Sequence, residues 1–309
     1  MSDAPGSVDG GEPDVNEGTV VKVSAAAGRV RALAALTTGV VEEARRRHGT
    51  YPTATAALGR TLTGTLLLGG TMKDEERLSI ELVGDGPLRR AMASTTGAGQ
   101  VRGYVANPAA HLPSKRGKLD VAGVVGSGML CVIRTQPWNK EPYRSIMQLV
   151  SGEIAEDLAH YLVTSEQVPS AIALGVFVNR DGDVGAAAGY LVQLLDGADV
   201  ALLRHVEQNL AALPPVTTLV REGAGAADIL AAVLAGIETT PLESYPARFS
   251  CSCTRARVHG AILLLGRDEI ADMIARDGGA DVTCEFCAER YVVSAEELEM
   301  LNAEPAGSA

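Results

Sequence analysis

From Thr19 onward, apolar and polar residues recur in two rhythms. A β-branched run opens "TVVKVSAAAGRVRALAAL", which closes in an Ala/Leu pattern of helical spacing, and "TTGVVEEARRRHGTYP" continues as a helix. Thr53–Leu68 carries apolar residues at helical spacing and stops at Gly69-Gly70. Short strand-like segments follow at 78–83, 88–94 and 101–106, divided by "GDGP" and "TGAGQ". Those separators have strong turn chemistry, so the segments predict an antiparallel meander. Further strands are expected at Gly128–Arg134 and near Val176, and 145–169 is expected to contain a helix ended by Pro169. Helices and strands in this mixed order predict an α+β core, not a regular doubly wound sheet.

The pattern changes near Ala198. "ADVALLRHVEQNLAALPP" and "GAGAADILAAVLAGIE" are short amphipathic helices, and "TTPLESYPARFS" reads as an irregular connector. Helices this short depend on packing against a neighbour. The C-terminal segment predicts a helix over Thr254–Leu265 closed by Gly266, and a second helix in "RDEIADMIARDGG". A strand, a knuckle and a strand follow in "DVTCEFCAERYVV". The last helix opens with a capping box of Ser294 and Glu297. The chain therefore divides into an acidic flexible tail (1–18), an α+β core (19–197), a helical linker (198–247) and a small C-terminal domain (248–309).

Composition narrows the function. The 309 residues are 46% hydrophobic and carry a formal net charge of -11, which disfavours a nucleic-acid binder because phosphate contacts rest on Lys and Arg. The N-terminus has neither a basic nor an apolar leader region, and the most apolar window, Thr53–Met72, contains Arg60 and several threonines. The expectation is a cytoplasmic protein without a membrane partner, in a compartment that keeps thiols reduced. The charge run "EEARRRHG" at 42–49 reads as a solvated helical face.

Cysteine changes the picture most. Cys251 and Cys253 form a C-x-C pair, Cys284 and Cys287 a C-x-x-C pair, and Cys131 is the one other cysteine, read as a small buried apolar residue in a strand. Four thiolates satisfy tetrahedral zinc and leave no position open for substrate water. Two readings fit the four thiols: a structural zinc ribbon, or a sensor whose thiolates are the form that oxidants attack. A thiol–disulfide oxidoreductase is the enzyme alternative. Its C-x-x-C would open a helix, whereas here the motif follows two helices and sits at a knuckle.

The wider chain resembles a family. "FSCSCTRARV…VTCEFCAERY" has the cysteine arrangement of the redox-regulated 33 kDa heat-shock chaperones. "VRGYVANP", "GSGMLCVIR", "PYRSIMQLVSGEIAEDLAHYLVTSEQVPSAIALGV" and "RDEIADMIARDGGADVTCEFC" are similar to segments of the same family. The resemblance implies an ATP-independent holdase and not an enzyme. It implies one Zn²⁺ per chain on Cys251, Cys253, Cys284 and Cys287 in a reduced, inactive form. Oxidation would form the disulfides Cys251–Cys253 and Cys284–Cys287, release the zinc and unfold the C-terminal region. The oxidised protein would dimerise, bind unfolded client proteins and later pass them to ATP-dependent refolding chaperones. If the linker unfolds too, the apolar residues it uncovers are Val200, Leu202, Leu203, Val206, Leu210, Ile229, Leu230, Val233 and Leu234.

Overall fold

The computed structural model describes residues 17–303 apart from positions 74, 98, 116 and 140. The anticipated acidic tail lies outside the described residues except for its last two, Glu17 and Gly18, which open the first strand.

One ten-stranded sheet organises the core. Its strands are β1 (Glu17–Ala25), β2 (Val30–Leu36), β3 (Arg77–Gly84), β4 (Arg90–Thr96), β5 (Gln100–Val105), β6 (Gly128–Thr135), β7 (Tyr143–Gln148), β8 (Ser170–Val178), β9 (Val184–Leu194) and β10 (Thr239–Phe249). They lie in the order β7-β6-β3-β4-β5-β10-β1-β2-β9-β8. The meander expected from the turn signals is present as antiparallel β3-β4-β5. Four helices accompany the core strands: α1 (Thr38–His48), α2 (Pro52–Gly69), α3 (Val121–Val125) and α4 (Ala155–Thr164). The fold is α+β.

The main core forms around α2, whose side chains are buried on nearly every face. A helix this buried must satisfy its own polar groups. Thr61 and Thr65 donate to the carbonyls of Ala57 and Thr61, and Thr63 shares a hydrogen bond with Thr37. Gly59 and Gly64 let the helix approach its neighbours closely: a Cβ on Gly59 would lie 2.6 Å from Val41, and one on Gly64 2.6 Å from Leu158.

Two expectations need correction. The Ala/Leu pattern at 30–36 is strand β2, not helix. Strand β2 lies between β1 and β9, with Leu33 and Ala35 in the main core and Ala32 and Ala34 in a second cluster. A strand covered on both faces loses its alternation, and alanine then imitates a helix. The supposed connector at 239–250 is mostly strand β10, antiparallel to β1 from Glu17↔Arg248 to Ala25↔Thr239. Pro241 and Pro246 hid it. They are tolerated because β10 is nearly an edge strand, meeting β5 only at Arg248 and Phe249. The segment 145–169 contains the expected helix, α4, from Ala155 to Thr164, after opening in β7.

Helices α5 (Val200–Ala212), α6 (Val216–Arg221) and α7 (Ala226–Val233) cover the second cluster. Val206, Ile229, Leu230, Val233 and Leu234 are buried there with Val23, Ala32, Ala34, Tyr190 and Val192. The C-terminal unit comprises α8 (Arg255–Leu263), α9 (Arg267–Asp277), β11 (Gly279–Thr283), β12 (Arg290–Ser294) and α10 (Ala295–Ala303). The capping box is formed: the Glu297 amide donates to Ser294 Oγ, and the Ser294 amide to the Glu297 carboxylate. The core of this unit is small. Among the described residues, Val258, Ile262, Ile270, Val293 and Leu298 form its buried cluster.

Hydrogen exchange on the reduced chain tests β10. Its amides bonded to β1 should exchange as slowly as those of β1 and β2, and more slowly than those of α5 and α6. Exchange at the rate of an unpaired segment would remove β10 from the sheet.

Candidate metal centre

The sulfurs of Cys251, Cys253, Cys284 and Cys287 all lie within 4.8 Å of one another. Two segments far apart in sequence bring them together. The first leaves β10 and is pinned to β5, where the amides of Arg248 and Ser250 donate to the carbonyls of Gly99 and Val101. It then passes through Cys251 and Cys253 into α8, where Thr254 caps the helix by accepting from the Arg257 amide. The second segment is the knuckle between β11 and β12. The amides of Cys284 and Ala288 close it by donating to the carbonyls of Glu289 and Cys284. Ala288 adopts a left-handed φ of 56° to complete the turn. This C-x-x-C joins two strands and opens no helix.

The geometry suits a tetrahedral thiophilic ion. Zinc–sulfur bonds of about 2.3 Å require sulfurs about 3.8 Å apart. Cys251 Sγ lies 3.8 Å from Cys284 Sγ, and Cys253 Sγ lies 3.3 Å from Cys287 Sγ. Burial works against ionisation at Cys251, Cys284 and Cys287, but the outcomes differ. At Cys251 it is outweighed by hydrogen bonds, first from Arg102 and then from the backbone and side chain of Cys253, and the pKa falls to about 7. At Cys284 and Cys287 burial prevails and the thiols are pushed up. Tyr291 donates to Cys253 Sγ at 3.2 Å, and that bond holds the phenol at about 12. A solvent-open cavity of about 220 Å³ reaches Cys251, Cys253 and Cys287 past Arg47, Phe249 and Tyr291.

The knuckle is docked on the core by residues that no sequence motif marked. The Phe286 ring meets Tyr104 edge-on at 5.5 Å, and the Arg102 guanidinium lies over it at 4.2 Å. The Phe286 carbonyl accepts from His48 Nε2 at 3.2 Å, and burial keeps that imidazole below its usual range and hence neutral. Arg47 reaches the Cys287 carbonyl and pairs with Glu289 at 3.5 Å. The run at 42–49 is therefore not a solvated face throughout. Glu43 is buried beneath Arg46 and Arg47, and the C-terminal end of α1 touches the knuckle. The one signal available was the density of Arg and His at a helix end.

The remaining cysteine, Cys131, is half-buried on β6, opposite Glu81 and Ile146, and is not part of the cluster. Among the nine apolar linker residues, Val206, Ile229, Leu230, Val233 and Leu234 are buried, and Leu202 and Leu210 flank them. Val200 and Leu203 are already exposed, at 61% and 36%. Among the described residues, no helix is long and apolar enough to cross a membrane.

Comparison with known proteins agrees with this architecture. The family model described as "Hsp33 protein" matches residues 18–294. The chain is 49% identical over 281 residues to the 33 kDa chaperonin of Symbiobacterium thermophilum, covering 90% of this chain and 95% of that one. It is 46% identical over 283 residues to the 33 kDa chaperonin of Desulforamulus reducens, covering 91% and 96%. The crystal structure of the 33 kDa chaperonin of Thermotoga maritima superposes with a TM-score of 0.83 at 39% identity, covering 92% of this chain and 97% of that one.

Removal of the knuckle's aromatic anchor tests the docking. Phe286→Ala should cost ~1 kcal/mol of aromatic and cation–π contact. Amides of 284–294 should then exchange roughly fivefold faster while those of β1 and β2 are unchanged. Equal rates in both proteins would mean that the ring contributes nothing to docking.

Proposed function

The chain belongs to the Hsp33 family of chaperones, and from that premise we propose that it is a holdase switched by oxidation of Cys251, Cys253, Cys284 and Cys287. The observation that carries this reading is the convergence of four thiols on a unit with only five residues in its buried core. In the reduced form the four sulfurs would hold one Zn²⁺, which would keep them as thiolates and tie the two segments together. Structural zinc contributes roughly 10–16 kcal/mol of folding free energy in small zinc peptides. A five-residue core cannot replace that.

Oxidation closes Cys251–Cys253 and Cys284–Cys287. Each bond takes two electrons from a dithiol, so a chain reduces two equivalents of a peroxide-type oxidant to water or alcohol. Cys251 and Cys287 line the open cavity, which gives the oxidant access. The sulfur contacts at 3.8 and 3.3 Å run between the pairs. Once the segments separate, however, the loops within each pair are far shorter and close at much lower entropic cost. Bridges between the pairs would staple the unit shut. Bridges within them leave it untied.

The same backbone carries the consequence to the linker. Helix α7 leads into β10, and β10 leads into Cys251. When the C-terminal unit loosens, its docking contacts no longer hold the end of β10. Val206, Ile229, Leu230, Val233 and Leu234 then separate from Val23, Ala32, Ala34, Tyr190 and Val192, and both surfaces become apolar and exposed. Leu202 and Leu210 join them, while Val200 and Leu203 need no uncovering. Hydrophobic capture is non-directional and therefore tolerant of client sequence. The same surfaces support dimerisation of the oxidised protein in the cytoplasm. Reduction would return clients to ATP-dependent refolding chaperones.

The reduced chain should contain one zinc, and Cys284→Ser should lose most of it on metal analysis under reducing conditions; full retention would reject the ligand set. Light scattering of a thermally unfolding client should be suppressed by the peroxide-treated chain and not by the reduced one. Suppression of equal strength by both forms would exclude a redox switch. Peptide mapping of the active form should recover Cys251–Cys253 and Cys284–Cys287. Predominant bridges between the two motifs would contradict the proposed opening.

A further inference from the structure

Beside the sulfur cluster lies a second cavity of about 270 Å³, lined in part by Arg102 and Ser252. Three guanidiniums from three elements line it: Arg77 at the start of β3, Arg102 on β5 and Arg257 in the first turn of α8. Ser94, Ser250 and Ser252 add hydroxyls, and among the described residues no carboxylate or large apolar side chain lines the pocket. This is unusual in a chain with a net charge of -11. Many other arginines are neutralised locally: Arg90 pairs with Glu81, Arg255 with Glu297 and Arg134 with Glu166. Among the described residues, Arg77, Arg102 and Arg257 have no acidic partner.

The cations are also held close together. Ser252 Oγ accepts from Arg102 Nη1 at 3.2 Å and from Arg257 Nη1 at 2.7 Å, so one hydroxyl holds the two donor nitrogens within about 6 Å of each other. The Cys251 sulfur lies 3.5 Å from Arg102 and can offset that charge alone. Like charges at this spacing repel unless an anion lies between them. Guanidiniums present paired donors that match phosphate oxygens. The cavity has room for about nine water volumes, enough for two phosphoryl groups. Among the described residues, no aromatic ring lines it.

We propose that this pocket binds a phosphate-type oxyanion of the size of pyrophosphate, clasped between the core and the C-terminal unit. Arg77, Arg102 and Ser94 belong to the core, whereas Arg257, Ser250 and Ser252 lie on the segment that carries Cys251 and Cys253. Such a ligand binds only while the two parts are docked, and by linkage it favours the docked arrangement.

Calorimetric titration of the reduced full-length chain with pyrophosphate tests the proposal, with inorganic phosphate and ADP as parallel ligands. One saturable site is expected, tighter for pyrophosphate than for phosphate and weakened by added NaCl. Arg77→Gln and Arg257→Gln should each weaken binding roughly tenfold, the loss of one charge-assisted contact. Both side chains are exposed, so neither change disturbs packing. Pyrophosphate also chelates metal, but chelation from the cysteines would give the same heat in wild type and variants. Equal heats in all three proteins overturn the proposal, as does the absence of saturable binding. ADP should bind no tighter than pyrophosphate; markedly tighter ADP binding would overturn the assignment to the phosphate groups alone.

Discussion

Six residues of backbone hold this molecule together. Between Arg248 and Cys253 the chain finishes a core strand, bonds to the carbonyls of Gly99 and Val101, and presents half of the sulfur cluster. The C-terminal unit has a small buried cluster, and beside it the sulfurs from this stretch meet those of the knuckle. The linker's position depends on the same stretch, because α7 reaches the cysteines only through β10. A chemical event at sulfur is thereby connected to an apolar interface formed by other elements of the chain.

The knuckle gives the connection its second anchorage. A C-x-x-C turn needs a backbone that bends, and the two intervening positions, Glu285 and Phe286, are free to serve other purposes. Phe286 uses that freedom to bind the core: its ring lies between Tyr104 and Arg102, and its carbonyl faces His48. Arg102 touches the ring, the Cys251 sulfur and the Ser252 hydroxyl at once. One side chain of β5 therefore senses both halves of the cluster.

The sequence revealed the chemistry more readily than the topology. Four thiols at fixed spacing have few uses, and their convergence was legible without coordinates. So were the α2 helix, the β3-β4-β5 meander and the Ser294–Glu297 capping box, because local rules determine each of them. What was hidden depends on distant neighbours. Strand β2 looked helical because both its faces are covered, and β10 looked irregular because its prolines are harmless only on a strand with a nearly free edge. The contacts of Arg47, His48 and Arg102 with the knuckle span well over a hundred residues, and nothing local announces them.

The ten-stranded sheet also has a seam. Strands β5 and β10 are parallel and meet over just two residue pairs, so the sheet behaves as two five-stranded plates joined at one corner. Helix α2 packs against β4 and β5 on one plate and against β8 and β9 on the other, bracing them like a splint. The corner can therefore come undone without the plates parting. Mechanically, the outer end of β10 is a peel point on the β5 side: a pull transmitted from the cysteines would meet just two residue pairs to β5, while the pairs with β1 from Glu17↔Arg248 onward hold the strand to the other plate.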